Sequence, residues 1–282
     1  MADGALADVR VLEFSQIVAG PFAGVTLSDQ GAEVVKVEPL DGEAYRASGA
    51  LVPGEGKRFQ SLNRGKRSFA IDLQHPQGQS LVHRIIPTFD AVLINYRPGV
   101  AERLRIDYDT LSAIHPALIY CSITGFGHTG PLSDKGATDL VAGAYSGLLA
   151  GDEKIGADGS PEQMTPAISD YVTGVACAMA IAAALYHRRG SGRGQRIDAS
   201  LLNSALAIQD FYVMRQDVTD AILRDPMVEG LHALRQRGAT YGEQLQARRE
   251  YRWAGAGPPR LYYTGYNAKD GALVLGCLTR RW

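Results

Sequence analysis

The feature that most constrains this chain is an apolar, helix-forming run that follows a single carboxylate. Between Val172 and Tyr186 the residues are Ala, Val, Ile, Leu and Met, with one Thr, one Gly and one Cys. A helix that is apolar on every side is either buried in a protein core or spans a membrane. The run of about fifteen residues is shorter than the roughly 18–20 that a bilayer requires. We therefore expect a helix buried in a core.

The residues after the run predict where this helix ends. Cationic side chains suit the last turn of a helix, where the carbonyl dipoles are negative, and glycines commonly follow the last helical residue. Both types occur here in that order: His187, Arg188 and Arg189, then Gly190, Gly192 and Gly194. A strand-like run that extends to Ser200 comes next.

Asp170 lies just before the run, beside Ser169, and allows two interpretations. Either residue suits an N-cap, which accepts a hydrogen bond from a backbone N–H at the start of the helix. Alternatively, Asp170 is a nucleophile, held ionised by the helix dipole beside an apolar core, that attacks a thioester or ester carbonyl. The local pattern alone does not choose between them.

Short β-rich runs alternate with helical segments along the first part of the chain. The predicted strands are Val9–Phe14, Val34–Glu38, Ser68–Leu73, Ala91–Asn95 and Leu118–Thr124, and the predicted helices between them include Pro76–Ile86, Val100–Leu104 and Tyr108–His115. This alternation predicts an α/β fold with a Rossmann-like, doubly wound parallel sheet. Residues 1–220 are predicted to form this large domain. Residues 221–282 are predicted to form a charged linker helix and the beginning of a smaller α+β domain.

The composition argues against several kinds of partner and site. The chain has 282 residues, 45% of them hydrophobic and 21% charged, with a net charge of −1. These values describe a soluble globular protein whose main partner is neither nucleic acid nor an anionic membrane. The three cysteines and six histidines show no metal-site spacing, so no metal site is predicted. Because Cys177 belongs to the apolar run, a reducing, cytoplasmic compartment is expected, and MADGALADVR predicts no secretory signal.

Two loops and one histidine are further candidates for chemistry. The loop Ser15–Pro21 is not G-x-G-x-x-G, so a dinucleotide site would depend on Glu38, which could equally face solvent. His128 lies in the glycine-rich stretch Thr124–Pro131 and could be a base, although a lone loop histidine is more often a surface residue. The sequence has no G-x-S-x-G elbow, which disfavours a serine hydrolase.

A polar, aromatic and basic cluster follows the fourth predicted strand, at Asn95-Tyr96-Arg97-Pro98-Gly99. Ordinary turn chemistry would explain it. It also suits a nucleotide site in which Tyr96 stacks and Arg97 or Arg103 binds phosphate.

Five segments together resemble the class III CoA-transferases of the CaiB/BaiF type, which include formyl-CoA transferase, carnitine CoA-transferase and the α-methylacyl-CoA racemases. The segments run in order along almost the whole chain: VRVLEFSQIVAGPFAG with GAEVVKVEP, NRGKRSFAIDLQHPQG, DAVLINYRPGVAERL, LIYCSITGFGHTGP, and SDYVTGVACAMAIAAALYHRRGSGRGQRIDASLLNSAL.

The resemblance implies roles for two aspartates. The family's catalytic aspartate falls on Asp170, and Asp139 would order the acceptor side of the site. In the transferases this carboxylate attacks an acyl-CoA to give a mixed anhydride, and the CoA thiolate then forms an aspartyl-CoA thioester. An acceptor carboxylate repeats these steps in reverse. The resemblance thus implies acyl-CoA and a carboxylic acid as partners, with coenzyme A as a substrate and no tightly bound cofactor.

The family's CoA contacts also map onto this chain. They fall on Val18, Ala19, Ile71, Asn95, Tyr96, Arg103, Leu104 and Lys135. Two basic positions of some members are Pro39 and Gln74 here. The candidates to supply the missing phosphate charge are Arg46, Lys66 and Arg67.

One residue separates transferase from racemase. The racemases carry a histidine directly before the acidic residue, where this chain has Thr138 before Asp139. Threonine is not a base at neutral pH, so a transferase is favoured. A racemase is the alternative and would need His128 as its second base.

Family members are longer, and their two chains interlock in a homodimer. This chain stops within the predicted small domain, so we expect a truncated chain whose strand near Ala272–Leu278 has an unpaired edge. A non-catalytic CoA-binding relative is therefore a further alternative.

Overall fold

The structure is a computed structural model that describes residues 4–162, 166–255 and 263–276. Its contacts divide the chain into two compact units. The first holds the described residues of Met1–Lys154 and Glu162–Val213, and the second those of Ile155–Pro161 and Met214–Trp282. The division at Val213 thus comes a little before the predicted boundary at residue 220.

The first unit contains six strands and eleven α-helices among its described residues. The strands are β1 (Arg10–Phe14), β2 (Glu33–Glu38), β3 (Arg67–Ala70), β4 (Ala91–Ile94), β5 (Ile119–Thr124) and β6 (Gln195–Ser200). The helices are α1 (Ala19–Asp29), α2 (Ala44–Ala47), α3 (Lys57–Asn63), α4 (Pro76–Ile85), α5 (Val100–Arg103), α6 (Tyr108–Ile114), α7 (Asp139–Ser146), α8 (Leu148–Asp152), α9 (Ile168–Ser191), α10 (Leu201–Ala207) and α11 (Asp210–Val213).

The six strands form one parallel sheet in the order β3-β2-β1-β4-β5-β6. Leu12 at the centre of β1 pairs with Val35 on one side and Val92 on the other. This arrangement confirms the predicted doubly wound α/β fold. The strand order reverses between β1 and β4, and ligands of such sheets bind beyond the carboxyl ends of the strands at that point.

Helices cover both faces of the sheet and enclose two separate cores. Helices α1, α7, α9 and α10 contribute to one core, and α4 and α6 to the other. Successive side chains of a strand point to opposite faces, so Val11 joins the first core and Leu12 the second. Every residue of β4 and β5 is buried. This explains why these strands read as continuous apolar runs rather than alternating ones.

Strand β3 is shorter than predicted because its ladder stops at the end of β2. The Ile71 backbone N–H still donates to the Glu38 carbonyl, at 2.9 Å. The chain then turns, and the Asp72 carboxylate accepts from the Gln74 N–H at 2.8 Å. Ile71 and Leu73 lie in the second core although they are not in the strand.

The apolar run predicted a helix that is buried on every side, but α9 is exposed along part of its surface. Cys177, Ile181 and Leu185 are buried, whereas Met179 is 70% and Tyr186 81% exposed. The run is so rich in alanine that its few large side chains give no clear helical period. The sequence therefore does not show that one side of the helix is exposed.

The length argument against a membrane span also fails for this helix. Helix α9 has 24 residues and is long and apolar enough to cross a membrane, with half of its most apolar stretch buried inside the protein. It packs closely against α1, and a Cβ atom on Gly174 would lie 2.8 Å from the Ala19 carbonyl oxygen. Phe22 and Tyr171 add an edge-to-face contact between the two helices, with ring centroids 4.7 Å apart.

The carboxyl end of α9 is fixed to the amino edge of the sheet. Arg188 donates to the Asp90 carboxylate at 2.6 Å and to the carbonyls of Asp90 and Ala117 at 3.3 and 3.2 Å. The other Asp90 oxygen accepts from the Arg10 backbone N–H at 2.8 Å. The helix continues through Gly190 and ends at Ser191, where Gly192 adopts the left-handed conformation.

The second unit contains α12 (Asp217–Ile222), α13 (Arg224–Gln236), α14 (Tyr241–Gly255), β7 (Tyr263–Ala268) and β8 (Gly271–Gly276). Two helices replace the single charged helix that the sequence suggested. Gly238 has a φ of 75° between them. Thr240 and Glu243 then form a reciprocal capping box that begins α14.

Strands β7 and β8 form a hairpin, with antiparallel pairing across a turn at Lys269 and Asp270. Within the part of the chain that the structure describes, β8 has one strand neighbour. The last residues of the predicted strand, Cys277 and Leu278, lie outside the described residues.

Candidate active site

Asp170 lies within the first turn of α9 and is not its N-cap. The helix begins at Ile168, and the N-cap residue is Ala167, whose methyl group cannot accept a hydrogen bond. The N-cap interpretation of Asp170 and Ser169 is therefore wrong. Asp170 is buried, with only 9% of its surface exposed.

A second aspartate supplies the missing cap from another helix. Asp139 is the first residue of α7 and is 7% exposed. Its Oδ1 accepts a hydrogen bond from the Asp170 backbone N–H at 3.2 Å. A side chain 31 positions away thus satisfies one of the free N–H groups at the start of α9. The two aspartates that the sequence singled out for catalysis are brought together.

The environment of the Asp170 carboxyl group keeps it partly protonated near neutral pH. Burial raises the pKa of Asp170 to about 7, and the nearby negative charge of Asp139 acts in the same direction. The sequence had suggested instead that the helix dipole would keep Asp170 ionised. Desolvation and the second carboxylate both favour the protonated form instead.

The loops after β1 and β4 meet where the strand order reverses. The Asn95 side chain accepts from the Gln16 backbone N–H at 2.9 Å and donates to the Gln16 carbonyl at 2.7 Å. This double hydrogen bond fixes the loop that leads into α1, at the site where the fold class places ligands. Asn95, predicted to contact CoA, is engaged in holding this loop.

A chain of buried ion pairs lies beneath the same loop. Lys36 bridges Glu13 and Glu43, with nitrogen–oxygen distances of 3.1 and 2.7 Å. Lys66 pairs with the other oxygen of Glu13 at 2.8 Å. Two lysines thus neutralise two glutamates. Because of these partners, the pKa of Glu13 lies below its usual value although the residue is fully buried.

Each of the three cations considered for the CoA phosphates has a carboxylate partner. Lys66 has a side chain only 2% exposed and is paired with Glu13. Arg46 makes a bidentate pair with Glu38, at 2.7 Å for both hydrogen bonds. Arg67, the first residue of β3, is 78% exposed. Its guanidinium lies 3.1 Å from the carboxylate of Glu33, the first residue of the neighbouring strand β2. The sequence could not reveal these pairings.

The sheet separates the other predicted CoA residues into two groups. Val18 and Ala19 are buried at the beginning of α1. Ile71, Tyr96 and Leu104 belong to, or pack against, the core on the opposite face. Burial raises the pKa of Tyr96 to about 12, so its hydroxyl is neutral.

Two predicted cations lie on the surface. Arg103 is exposed at the end of α5, and no carboxylate of the described residues forms an ion pair with it. Lys135 is also exposed and pairs with its neighbour Asp134 at 3.1 Å. Both side chains are accessible to an anionic ligand.

Glycines allow the loop before Asp139 to approach the ends of β4 and β5. A Cβ atom on Gly136 would lie 3.2 Å from the Arg97 guanidinium nitrogen Nε. A Cβ atom on Gly125 would lie 2.5 Å from the Ala137 side chain. These contacts connect the Asn95–Arg97 loop through residues 136–137 to Asp139, and hence to Asp170.

An open cleft with a volume of about 110 Å³ lies beside the ends of β4 and β5. Its lining includes Tyr96, Arg97, Ser122, His128 and Arg196. His128 is exposed, as is usual for a loop histidine, and its Nε2 lies 3.0 Å from Ser122 Oγ and 3.2 Å from an Asp198 oxygen. Both contacts use the same nitrogen, so they do not form the Ser-His-Asp arrangement of a hydrolase.

Sequence reasoning missed the residues that support the β1–α1 loop, namely Gln16, Ile17, Glu43, Lys36 and Glu13. One signal was available. Glu13 and Lys36 interrupt the apolar runs of two predicted strands in a parallel sheet, and a charge that is buried in a sheet must be paired. The partner Glu43, in the connection after β2, carried no such signal.

Fold and site define a doubly wound α/β protein with a buried carboxylate near the carboxyl edge of its sheet. The model of CoA-transferase family III matches residues 6–281, and the chain belongs to that family.

Curated relatives and solved structures agree with this assignment. The chain is 39% identical to the succinate–glutarate CoA-transferase of Agrobacterium fabrum over 213 residues, which are 72% of this chain and 52% of that protein. It is 35% identical to the succinyl-CoA:glutarate CoA-transferase of Mus musculus over 275 residues, 96% of this chain and 56% of that protein. The crystal structure of a CaiB/BaiF family protein from Brucella suis has a TM-score of 0.72 at 30% identity, and covers 98% of this chain and 66% of that one. The chain thus spans about half the length of the curated relatives it matches.

Proposed function

We propose that this chain carries the catalytic half of an acyl-CoA:carboxylate CoA-transferase, with Asp170 as the nucleophile. The observation that carries the proposal is the placement of Asp170. It is a buried carboxylate in the first turn of α9, whose backbone N–H is bound by Asp139. Family membership over residues 6–281 supports it.

The proposed reaction uses four acyl-transfer steps. The Asp170 carboxylate attacks the thioester carbonyl and the carbon–sulfur bond breaks. CoA thiolate is released, and a mixed anhydride of Asp170 and the donor acid forms. The thiolate then attacks the aspartyl carbonyl, which releases the donor acid as its carboxylate and forms aspartyl-CoA. An acceptor carboxylate then attacks aspartyl-CoA, which gives a second mixed anhydride and releases the thiolate. The thiolate attacks the acceptor's carbonyl in this anhydride and forms the new acyl-CoA. The free carboxylate of Asp170 is regenerated, and the thioester bond is conserved throughout.

The raised pKa suits this role. A carboxylate whose pKa is about 7 is more basic than an exposed aspartate and is poorly solvated, and both properties increase its nucleophilicity. At pH 7 a substantial fraction is still ionised. The site therefore keeps a reactive anion without a neighbouring base.

We propose dicarboxylic acids as the acyl donor and acceptor class. The support is the names of the relatives, which are transferases for succinate or succinyl-CoA and glutarate. Arg97 is exposed beside the loop to Asp139, without a carboxylate partner in the described part of the chain. It is a candidate to bind the distal carboxylate of such a substrate.

We further propose a cytoplasmic homodimer. The exposed apolar side chains Val175, Met179 and Tyr186 of α9 form a stripe that a second subunit would cover. The buried, free thiols of Cys121 and Cys177 suit a reducing compartment. Light scattering of the purified chain at several concentrations tests the assembly.

The racemase alternative has less support. Thr138 precedes Asp139 at the N-cap of α7 and offers no titratable group. His128, the other candidate base, is bound by Ser122 and Asp198. A non-catalytic CoA-binding protein remains the alternative from a different functional class.

The deciding experiment is intact-mass analysis of the chain after incubation with succinyl-CoA, followed by hydroxylamine trapping and peptide mapping. We expect a CoA adduct and a hydroxamate at Asp170 that are absent from Asp170→Asn. CoA binding without an adduct would contradict the transferase. Deuterium incorporation at the acyl α-carbon, measured on 2-methylacyl-CoA, would then indicate a racemase, and its absence a binding protein.

A further inference from the structure

The backbone of Ile17 adopts a conformation that its side chain disfavours. Its φ is 72°, and it is the one β-branched residue with positive φ in the described part of the chain. Branching at Cβ makes this left-handed conformation unfavourable, and it persists only where the surroundings enforce it. Ile17 is 37% exposed, directly before Val18 and Ala19.

Three side chains from three other segments hold the main chain of this loop. Lys36 donates to the Ser15 carbonyl at 2.7 Å. Asn95 binds both main-chain groups of Gln16. The Ile17 N–H itself donates to Glu43 Oε1 at 2.9 Å. The backbone of three consecutive residues, from Ser15 to Ile17, is thus held by side-chain hydrogen bonds before α1 begins.

Glu43 is positioned as firmly as the loop that it holds. It is 5% exposed, and its second oxygen lies 2.7 Å from Lys36 Nζ. Its backbone N–H donates to a Glu38 oxygen at 3.1 Å. Lys36 in turn contacts Glu13. A neutralised, buried network therefore sets the position of the carboxylate that receives the Ile17 N–H.

We propose that Glu43 is a positioning residue for coenzyme A, because it holds Ile17 in the left-handed conformation. In that conformation the exposed Ile17 side chain and the start of α1 lie at the switch point of the sheet, where the ligand site of such folds is found. Without Glu43, Ile17 relaxes to a negative φ and the loop leaves the geometry that receives CoA. This inference rests on the proposed function.

Glycine at position 17 separates positioning from mere structural support. Glycine adopts positive φ without a steric penalty, so it should not need Glu43 to stay in place. We expect Glu43→Ala to raise the Kd for CoA at least about tenfold, and Ile17→Gly in the Glu43→Ala background to restore most of that loss. A role limited to the stability of the buried network would not be rescued in this way.

The experiment is isothermal titration of CoA into the full chain and its variants, with hydrogen exchange of the peptide that contains Ile17. Glu43→Gln keeps an acceptor for the Ile17 N–H and carries the test if Glu43→Ala does not fold. We expect Glu43→Gln to weaken CoA binding less than Glu43→Ala does, and Ile17→Gly in the Glu43→Gln background to restore the binding that Glu43→Gln loses. Glu33→Gln, which removes a half-exposed glutamate from the same strand as Lys36, is the control and should bind CoA as the wild type does.

The outcomes distinguish this proposal from the proposed function. If the wild type fails to bind CoA, the proposed function fails, while protection of the Ile17 amide still reports whether Glu43 holds the loop. If the wild type binds CoA and Glu43→Ala binds it equally well, the positioning role is wrong. Loss of binding that glycine at position 17 does not restore would also overturn it.

Discussion

Asp139 accepts a hydrogen bond from the backbone N–H of Asp170, so one acidic residue fixes the start of the helix that carries another. Helix N-termini favour negative charge, which makes Asp139 a good cap. Its charge also raises the pKa of Asp170. The same contact therefore positions the proposed nucleophile and makes it more basic.

The rate of aspartyl-CoA formation should rise with pH, with a midpoint near 7, because only the ionised Asp170 attacks and its pKa is about 7. Asp139→Asn retains an oxygen for the Asp170 N–H and removes the charge. We expect its midpoint to lie at lower pH. Rapid-quench mass spectrometry with succinyl-CoA between pH 5.5 and 8.5 measures both profiles.

The matched control for this profile is Asp134→Asn, which removes an exposed acid from the loop before Asp139. Its midpoint should equal that of the wild type. Identical midpoints for Asp139→Asn and the wild type would show that Asp139 does not set the pKa of Asp170.

Asp170→Asn should stabilise the folded chain at alkaline pH. The folded-state pKa of about 7 lies above the usual value of 3.8, so the unfolded state loses its proton first. The wild type therefore loses stability as pH rises from about 4 to 7. We expect the gain from Asp170→Asn in the free energy of unfolding to be roughly 2–3 kcal/mol larger at pH 8 than at pH 5. Urea unfolding at both pH values tests this, and a pH-independent gain would contradict the raised pKa.

Gly174→Ala should destabilise the contact between α1 and α9. Its Cβ would lie 2.8 Å from the Ala19 carbonyl oxygen and 3.0 Å from the Phe22 ring, so overpacking should cost about 1–3 kcal/mol. Gly190→Ala is the control on the same helix, since nothing lies within 4 Å of its added Cβ. Thermal unfolding should show a lower Tm for the first variant and an unchanged or higher Tm for the second. Equal effects would argue against close packing at Gly174.

Lys66→Met should destabilise the fold much more than loss of a surface pair. It leaves Glu13 with Lys36 as its remaining cation in a fully buried network, and breaking a buried pair costs about 3–5 kcal/mol. Arg64→Met, in the same sequence motif, removes an exposed pair with Asp29 and should cost no more than about 1 kcal/mol. Urea unfolding at neutral pH compares them. A small effect of Lys66→Met would mean that water reaches Glu13.

The fold was accessible from the sequence because strand and helix runs are local patterns. The alternation from Val9 to Thr124 predicted the parallel sheet, and Pro76 marked the first turn of α4. Helices α7 and α8 were missed because they are short and Gly147, with φ of 79°, separates them.

The candidate site was less accessible because its contacts join residues far apart in the chain. Asn95 and Gln16 are 79 positions apart and meet only because β4 lies beside β1. Lys66 looked like a free cation until the fold placed it against Glu13. The location of Asp170 was predictable from the helix run and the family resemblance. Its raised pKa was not, because that depends on Asp139 from another helix.

The clamping of α9 at both ends has a consequence for how such a protein diversifies. Asp139 binds its first turn, and Arg188 ties its last turn to Asp90 and Ala117. The proposed nucleophile thereby keeps its position when the loops that we expect to contact the substrate change. Mutation can remodel those loops for a new acid while the reactive carboxylate keeps its place. One scaffold can in this way give rise to many transferases.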